Sequence, residues 1–305
     1  MQTITESAFA KLNLTLDVLG KRADGYHDIR SVEQTISLRD DVVVSIGTNA
    51  PWALHCYRER LSSDDARESV LETDGFPQDS DNLAWRAAEA FFLRTDLDPE
   101  GLEIFINKRI PMQAGLGGGS ADAAAVLVAL NSLYGLGHSP ARLAEIGAEV
   151  GSDVPALVLA HCLRAPVLME GRGERVSPLP AMPLNLVLAF PGVHSSTREV
   201  FSRWRPSPPR NCAPTALAAD AIRRGDLAAL TAALANDLEP AAAALHPEIA
   251  ATLAALRTEK PLAAAMTGSG STVFALVRSP DEAAAVAARL RARGISASPA
   301  RGPRP

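Results

Sequence analysis

The chain has 305 residues, of which 47% are hydrophobic and 21% charged, and its 30 basic and 35 acidic residues give a net charge of −5. This composition is typical of a globular protein with one large domain or two ordinary ones, and it excludes a disordered chain. Since there is no basic excess, a nucleic-acid-binding protein is not expected.

Three cysteines, Cys56, Cys162 and Cys212, lie far apart and form no CxxC pair. This usage argues against a disulfide framework or a cysteine zinc site and favours a reducing compartment. The most apolar runs are about half the roughly 20 residues that a membrane span needs, and no basic region precedes an apolar run at the N-terminus. We therefore expect a cytoplasmic monomer or weak homodimer that binds neither membrane nor nucleic acid.

An alternating pattern near the N-terminus predicts the first strand. Aliphatic and polar residues alternate from Lys11 to Val18, which is the period of a half-buried strand. We therefore expect Lys11 and Asn13 on the same polar face, roughly 6.5–7 Å apart along the strand. The segment 20–27 that follows contains Asp24-Gly25, a dipeptide typical of a hairpin turn.

The rest of the N-terminal half contains both periodicities. Apolar residues recur at the period of a strand over 32–38, 42–46 and 102–107, and at the period of a helix over 82–93, 120–134 and from 140 onward. The acidic stretch 47–81 shows neither pattern clearly and is predicted to form an extended loop or insert.

The C-terminal half is predicted to hold strands over 167–170, 184–190 and 272–277, a proline-rich linker over 205–214 and two or three helices within 215–257. Ser279 to Glu282 resembles a capping box that opens a helix ending at Gly294, and residues 298–305 are predicted to fray. Strands and helices mix without a regular βαβ repeat. We therefore predict an α+β fold in two lobes, divided as 1–160 and 161–305.

A run of glycines between a predicted strand and a predicted helix is the most informative motif. Residues 111–120 have the sequence PMQAGLGGGS, with four glycines from Gly115 to Gly119. Glycines add nothing to a core, but they let backbone N–H groups approach an anion closely. A helix starting at about Ser120 directs its positive end to the same place. The segment is therefore predicted to bind a polyphosphate, the alternative being a flexible glycine turn.

Better-known nucleotide-binding motifs do not fit this segment. It lacks the Lys-Ser/Thr of a Walker A motif and the GxGxxG spacing of a dinucleotide fingerprint. The chain also has no HRD or DFG segment, which excludes a protein kinase.

Several motifs together resemble the GHMP kinase family. They are AKLNL at 10–14 with RADGYH at 22–27, the glycine loop at 111–120, GSDVP at 151–155 and MTGSGSTVF at 266–274. They occur in the family's order and extend from Lys11 to Phe274. The resemblance implies a two-lobed fold with a glycine-rich phosphate loop between a strand and a helix. Residues 1–160 would form the catalytic ATP-binding domain and residues 161–305 the substrate-side domain.

The same resemblance implies an ATP- and Mg²⁺-dependent kinase that phosphorylates an alcohol, with Lys11 and Asp153 as its catalytic residues. Lys11 would stabilise developing alkoxide charge and Asp153 would accept the hydroxyl proton. The alternatives are a solvated lysine and a turn or N-cap aspartate. The implied ATP-binding residues are Asn82, Pro111, Met112, Gln113, Ala114, Gly115, Leu116, Gly117, Gly118, Gly119, Ser120 and Ala121.

Two of these positions have alternatives of their own. Asn82, at the adenine-contacting position, could equally be an ordinary helix N-cap. Ser120 could ligate Mg²⁺ or only cap the helix. Ala114 and Ala121 depart from the family pattern, in which glycine and serine are more usual at these positions.

The first motif is specific to family members whose substrate is a cytidylated sugar alcohol of the non-mevalonate route to isoprenoid precursors. In these members the 2-hydroxyl is phosphorylated, so Tyr26 and His27 would form a platform for the cytosine. The implied substrate-binding residues are Asn13, Tyr26, His27, Thr197, Gly268 and Ser269. Ordinary packing is the alternative for the aromatic pair. A kinase of homoserine or mevalonate type, or a non-catalytic nucleotide sensor, remains an alternative for the whole chain.

Overall fold

The structure, a computed structural model, describes residues 1–48, 51–61, 69–73, 75–97, 101–206 and 213–302. The strands are β1 (Gln2–Lys21), β2 (His27–Ile46), β3 (Ala53–Leu61), β4 (Ser69–Glu72), β5 (Leu102–Asn107), β6 (Val167–Gly171), β7 (Arg175–Pro178), β8 (Asn185–Phe190), β9 (Ala235–Asn236), β10 (Ala263–Met266), β11 (Val273–Val277) and β12 (Ser296–Arg301). The helices are α1 (Leu83–Thr95), α2 (Gly118–Leu133), α3 (Pro140–Gly147), α4 (Val154–Leu163), α5 (Thr197–Arg203), α6 (Pro214–Arg224), α7 (Leu227–Ala233), α8 (Glu239–Leu245), α9 (Pro247–Thr258) and α10 (Pro280–Ala292). Within these ranges, no helix is long and apolar enough to cross a membrane.

The chain groups into two compact units. Unit one consists of Met1–Ala10, Leu38–Pro111 and Gly117–Cys162, and unit two of Lys11–Ser37, Met112–Leu116 and Leu163–Pro305. The long strands β1 and β2 and the glycine loop each contribute residues to both units. The division into 1–160 and 161–305 stays a prediction.

In unit one, β5 pairs with the end of β2 in antiparallel and with β3 in parallel orientation, and β4 continues the sheet beside β3. The alternation of buried and half-buried residues along β5 is the one that its sequence predicts. Helices α1 to α3, and α4 as far as Cys162, belong to the same unit. The side chains of Phe91, Ile104, Leu127 and Leu130 are fully buried in its core.

In unit two, β8 lies between β11 and β12, with β10 beside β11. The first part of β2 pairs with β6, and β1 pairs with β9 at Thr15 and Leu16. Residues of β1, β8, β11, α9 and α10 share one hydrophobic core, in which Leu16, Val187, Ile249 and Leu290 are buried.

Several predicted elements are confirmed together with their caps. Asn82 caps α1 by accepting from the Ala84 N–H, and Ser139 precedes the first-turn proline of α3. Ser279 caps α10 by accepting from the Glu282 N–H, at 3.1 Å. The Glu282 carboxylate accepts from the N–H of Arg278 rather than of Ser279, so only half of the predicted capping box forms.

Other predictions are wrong. The interval 47–81 contains β3 and β4, because Leu54 and Cys56 alternate with polar residues and pair with β5. The strands predicted at 32–38 and 42–46 are one continuous β2. The tail contains β12, an edge strand in which Pro299 is tolerated; residues 303–305 lie outside the described residues.

One prediction for the second half also needs correction. The interval 215–257 contains four helices, α6 to α9, rather than two or three. Gly225 ends α6 and Asp226 caps the start of α7. His246 separates α8 from α9. The proline-rich linker falls largely on 207–212, which lie outside the described residues.

Candidate active site

The polar face of β1 is buried rather than half-exposed, and it holds Lys11 and Asn13 together. The Lys11 Nζ lies 2.6 Å from the Asn13 Oδ1 and 3.4 Å from the Glu33 Oε2. The Asn13 Nδ2 donates to the Ser31 Oγ at 2.8 Å. The common face predicted for Lys11 and Asn13 is therefore confirmed. The expected exposure is wrong, because β2 supplies polar partners for these side chains.

The beginning of the glycine loop is bonded to β1 and to the loop 267–271 within unit two. The Lys11 N–H donates to the Leu116 carbonyl at 3.0 Å, and the Asn13 N–H donates to the Thr267 Oγ1 at 2.9 Å. Gly115 has a φ of 75°, and a Cβ there would lie 2.6 Å from the Thr267 carbonyl oxygen. Only glycine fits this close backbone approach, which brings Gly115 and Gly268 near Lys11 and Asn13.

The loop 267–271 is held by side chains that lie outside the sequence motifs. The Asn236 Nδ2 donates to the Gly268 carbonyl at 2.8 Å, and the Ser195 Oγ donates to the Ser269 carbonyl at 2.7 Å. The hydroxyls of Thr197 and Ser269 lie 2.9 Å apart. Two predicted substrate-side residues, distant in sequence, are thus brought together.

Tyr26 and His27 lie at the start of β2 in different surroundings. Tyr26 is exposed, and the Arg172 guanidinium lies 5.1 Å from its ring centroid. The His27 ring packs against Phe201 and Trp204, with centroid distances of 4.9 and 5.6 Å. Burial, with a smaller effect of Lys21, lowers the pKa of His27, so its imidazole is neutral near pH 7 and can both donate and accept a hydrogen bond.

Phe201 and Trp204 were missed by sequence reasoning. They are three residues apart at the end of α5, a spacing that places side chains on one helix face. That spacing was the available signal, but no helix was predicted there.

The second part of the glycine loop opens α2 in unit one. Gly117, with a φ of 68°, is the N-cap and provides no side-chain cap, and α2 begins at Gly118, two residues before the predicted start. The N–H groups of Gly118, Gly119 and Ser120 are the first-turn donors that a helix cannot satisfy internally. They form an arrangement suited to an anion.

Asn82 and Asp153 both precede helices of unit one. Asn82 is buried, and its side chain caps α1 while donating to the Pro77 carbonyl at 2.9 Å. Its N-cap role is confirmed, and its adenine contact stays a prediction. The Asp153 carbonyl accepts from the Leu157 N–H at 3.1 Å, which places this half-buried residue at the start of α4. Its catalytic role also stays a prediction.

A buried group of charges near the start of α2 was also missed. The Lys108 Nζ lies 2.5 Å from the Asp40 Oδ2 and 2.6 Å from the Asp122 Oδ2. The sequence shows each charge but not their convergence, because they come from three different elements.

The residues at the start of α2 fit a magnesium ion that arrives with a nucleotide. Across the described ranges, no three His, Cys, Asp or Glu side chains cluster closely enough to hold a metal ion. Mg²⁺ usually keeps several waters and binds through few protein oxygens together with substrate phosphates. The half-buried Ser120 hydroxyl, in the first turn of α2, is the candidate protein ligand.

Comparison with known proteins assigns the family. The family models described as "GHMP kinases N terminal domain" and "GHMP kinases C terminal" match residues 82–161 and 218–296. The 4-diphosphocytidyl-2-C-methyl-D-erythritol kinase of Moorella thermoacetica is 41% identical, over 95% of this chain and 96% of that protein. The protein of the same name from Pelotomaculum thermopropionicum is also 41% identical, over 94% of each chain.

Comparison with solved structures gives the same family. A crystal structure titled 4-(cytidine 5'-diphospho)-2C-methyl-D-erythritol kinase has a TM-score of 0.76 and 33% identity, covering 99% of this chain and 100% of that one. The homoserine kinase of Cytophaga hutchinsonii has a TM-score of 0.72 at 18% identity, covering 99% of this chain and 95% of that one, and so shares the fold. The predicted α+β GHMP kinase fold is confirmed. The chain belongs to the GHMP kinase family and is a kinase.

Proposed function

We propose that this kinase transfers the γ-phosphoryl group of ATP to the 2-hydroxyl of 4-diphosphocytidyl-2-C-methyl-D-erythritol, a precursor in non-mevalonate isoprenoid synthesis. The observation that carries the proposal is the 41% identity, over nearly the whole of both chains, to a relative named for this substrate. The first motif, with Tyr26 and His27, is the part of the sequence that resembles this substrate class most specifically.

The triphosphate of ATP binds at the glycine loop, where the uncapped N–H groups of Gly118, Gly119 and Ser120 receive phosphate oxygens at the positive end of α2. Asn82 lies toward the adenine. The Ser120 hydroxyl would hold a Mg²⁺ ion that arrives with the nucleotide, and this ion would supply charge neutralisation for the transferred group.

Lys11 and Asp153 carry the chemistry. As the substrate hydroxyl oxygen bonds to the γ-phosphorus, its proton passes to the Asp153 carboxylate and the bond from the γ-phosphorus to the bridging oxygen breaks, releasing ADP. The buried Lys11 ammonium, oriented by Asn13 and Glu33, stabilises the negative charge that develops on the attacking oxygen.

The cytidine end of the substrate binds at Tyr26 and His27. The exposed Tyr26 ring offers a stacking face, and the neutral His27 imidazole can exchange hydrogen bonds with a base edge. Asn13, Thr197, Gly268 and Ser269 contribute polar contacts from the same unit.

The function is tested by ADP release, measured with a coupling enzyme and a panel of alcohols. The panel contains the cytidylated sugar alcohol, homoserine and mevalonate. We expect turnover with the cytidylated compound alone. Preferred turnover of homoserine or mevalonate would assign a different member of the family, and failure of every acceptor would favour a nucleotide sensor.

The cytidine contact is tested by His27→Ala. We expect a higher KM for the cytidylated acceptor and an unchanged KM for ATP. His55→Ala is the matched control, because it also removes an imidazole that packs against a phenyl ring, that of Phe105 at 4.5 Å. Equal effects of the two variants on the acceptor KM would contradict the assignment.

A further inference from the structure

A buried ion cluster of Lys108, Asp40 and Asp122, here called the Lys108 cluster, lies beside the start of α2. The Lys108 side chain is 5% exposed, and its Nζ contacts an oxygen of Asp40 and one of Asp122, at 2.5 and 2.6 Å. One ammonium therefore joins two carboxylates away from water.

The three residues connect separate elements of unit one. Asp40 belongs to β2, Lys108 directly follows β5, and Asp122 is the fifth residue of α2. The second oxygen of Asp40 accepts from the N–H groups of Arg109 and Ile110, at 2.5 and 2.7 Å. Asp40 thus fixes the chain that leaves β5, and Lys108 connects this fixed point to the helix.

The first residue of α2 packs directly on the same structure. A Cβ at Gly118 would lie 3.1 Å from the Ile110 Cγ2 and 3.4 Å from the Lys108 Nζ. There is thus little free space between the helix start and the ion cluster. A change in the cluster's geometry would therefore be transmitted to the N–H groups of the first turn.

Stability alone does not account for these charges. A buried ion cluster has a large desolvation cost and is often no more stabilising than apolar residues of the same volume. The other Asp122 oxygen, Oδ1, is buried and has no hydrogen-bond partner among the residues that the structure describes. The oxygen that contacts Lys108, Oδ2, is therefore the one through which this carboxylate is held in the cluster.

We propose that Asp122 is a positioning residue for the phosphate-binding site. Through Lys108 and Asp40, it holds the N–H groups of Gly118, Gly119 and Ser120 in the geometry that receives a triphosphate. The inference rests on the proposed function in that it takes ATP as the ligand of α2.

The test compares two variants that remove the same charge. Asp122→Asn keeps an oxygen within reach of Lys108, whereas the side chain of Asp122→Ala cannot reach it. By calorimetry, we expect the Kd for ATP to stay close to the wild-type value in the asparagine variant. In the alanine variant it should rise by about tenfold or more, the scale of losing one hydrogen bond to a charged group.

A second readout separates positioning from general loss of stability. Hydrogen exchange of the segment 117–122 should accelerate in the alanine variant and not in the asparagine variant. Leu130→Ala is the control, because Leu130 is fully buried in the last turns of the same helix. It should lower Tm while leaving the Kd for ATP unchanged.

Equal ATP affinity of the alanine variant and the wild type would overturn the inference, as would equal weakening in the asparagine variant or in Leu130→Ala. If Asp122→Ala does not fold, Asp122→Glu provides the test, because it keeps the charge and displaces the helix start by one methylene. Wild-type affinity in that variant would also overturn the inference. Failure of the wild-type protein itself to bind ATP would instead overturn the proposed function.

Discussion

At the scale of single residues, Lys11 and Glu33 form an ion pair that is almost completely buried. Their side chains are 6% and 0% exposed, and 3.4 Å separates the Lys11 Nζ from the Glu33 Oε2. In such surroundings, removing either charge leaves the other less compensated. The contribution of Lys11 to stability and its contribution to catalysis must therefore be measured separately.

Lys11→Met should lower both stability and turnover. Breaking a buried ion pair by removing one partner costs about 3–5 kcal/mol, since the buried Glu33 carboxylate loses a cationic neighbour. The double variant Lys11→Met/Glu33→Gln should recover much of the free energy of unfolding, measured by chemical denaturation, but none of the kcat. Recovered turnover in the double variant would remove Lys11 from the mechanism.

Asp153 can be tested without losing the start of α4. Asparagine and serine are both good N-cap residues, but neither acts as a general base. Asp153→Asn and Asp153→Ser should therefore keep the wild-type Tm and lower kcat by about 10²–10⁴-fold. The neighbouring exposed Ser152, changed to alanine, is the control for local disturbance. Near wild-type turnover in both Asp153 variants would show that another group accepts the proton.

At the scale of elements, the glycines of the phosphate loop have different physical tasks. Gly115 allows a close backbone approach at positive φ, and Gly118 packs against Ile110. At Gly119, which is exposed, a Cβ would meet Leu83 alone among the described residues, at an ordinary 3.6 Å. A substitution at Gly119 therefore tests access of an anion to the helix start with the least disturbance of packing.

Gly119→Ala should stabilise the ligand-free protein and weaken ATP binding. Alanine is more favourable than glycine within a helix by about 0.5–1 kcal/mol. Its methyl group should hinder phosphate approach and raise the Kd for ATP by about tenfold, the scale of one lost hydrogen bond to a charged group. Thermal denaturation and calorimetry on the same samples measure the two effects. A Kd equal to that of the wild type would contradict the placement of the triphosphate.

Elements with a strong local pattern were predictable from the sequence, and those defined by distant partners were not. The alternation in β5 and the Asn82 cap of α1 are local signals, and both are confirmed. In contrast, β12 forms because 296–301 finds an open edge of β8, and no local pattern encodes that edge. The candidate site divides in the same way, since motifs identify Lys11 and the glycine loop, whereas Glu33, Asn236 and Lys108 require the fold.

At the scale of the whole molecule, the Lys108 cluster should make stability depend on pH. Burial, opposed by Lys108, raises the pKa of Asp122 to about 7, against about 3.9 for an unperturbed aspartate in an unfolded chain. The folded state therefore binds the proton more tightly than the unfolded state. The stability that the folded state gains by binding this proton more tightly is fully present below about pH 4, and it is lost as the pH rises through about 7.

Chemical denaturation at pH 5, 6, 7 and 8 checks this dependence at constant ionic strength. Relative to Asp122→Asn, the wild-type protein should lose free energy of unfolding between pH 5 and 7 and change little above pH 8. A difference between the two proteins that stays constant with pH would contradict the raised pKa.

The path of the chain through the two units limits how the gene could be divided. Residues 11–37 belong with the C-terminal part of the protein, where they supply the strand partners of β6 and β9. A fragment starting at 161 would lack these partners and expose unpaired strand edges. Splitting this enzyme into separately expressed halves, or exchanging its C-terminal half with that of a relative, therefore requires the first β-hairpin to accompany the C-terminal piece.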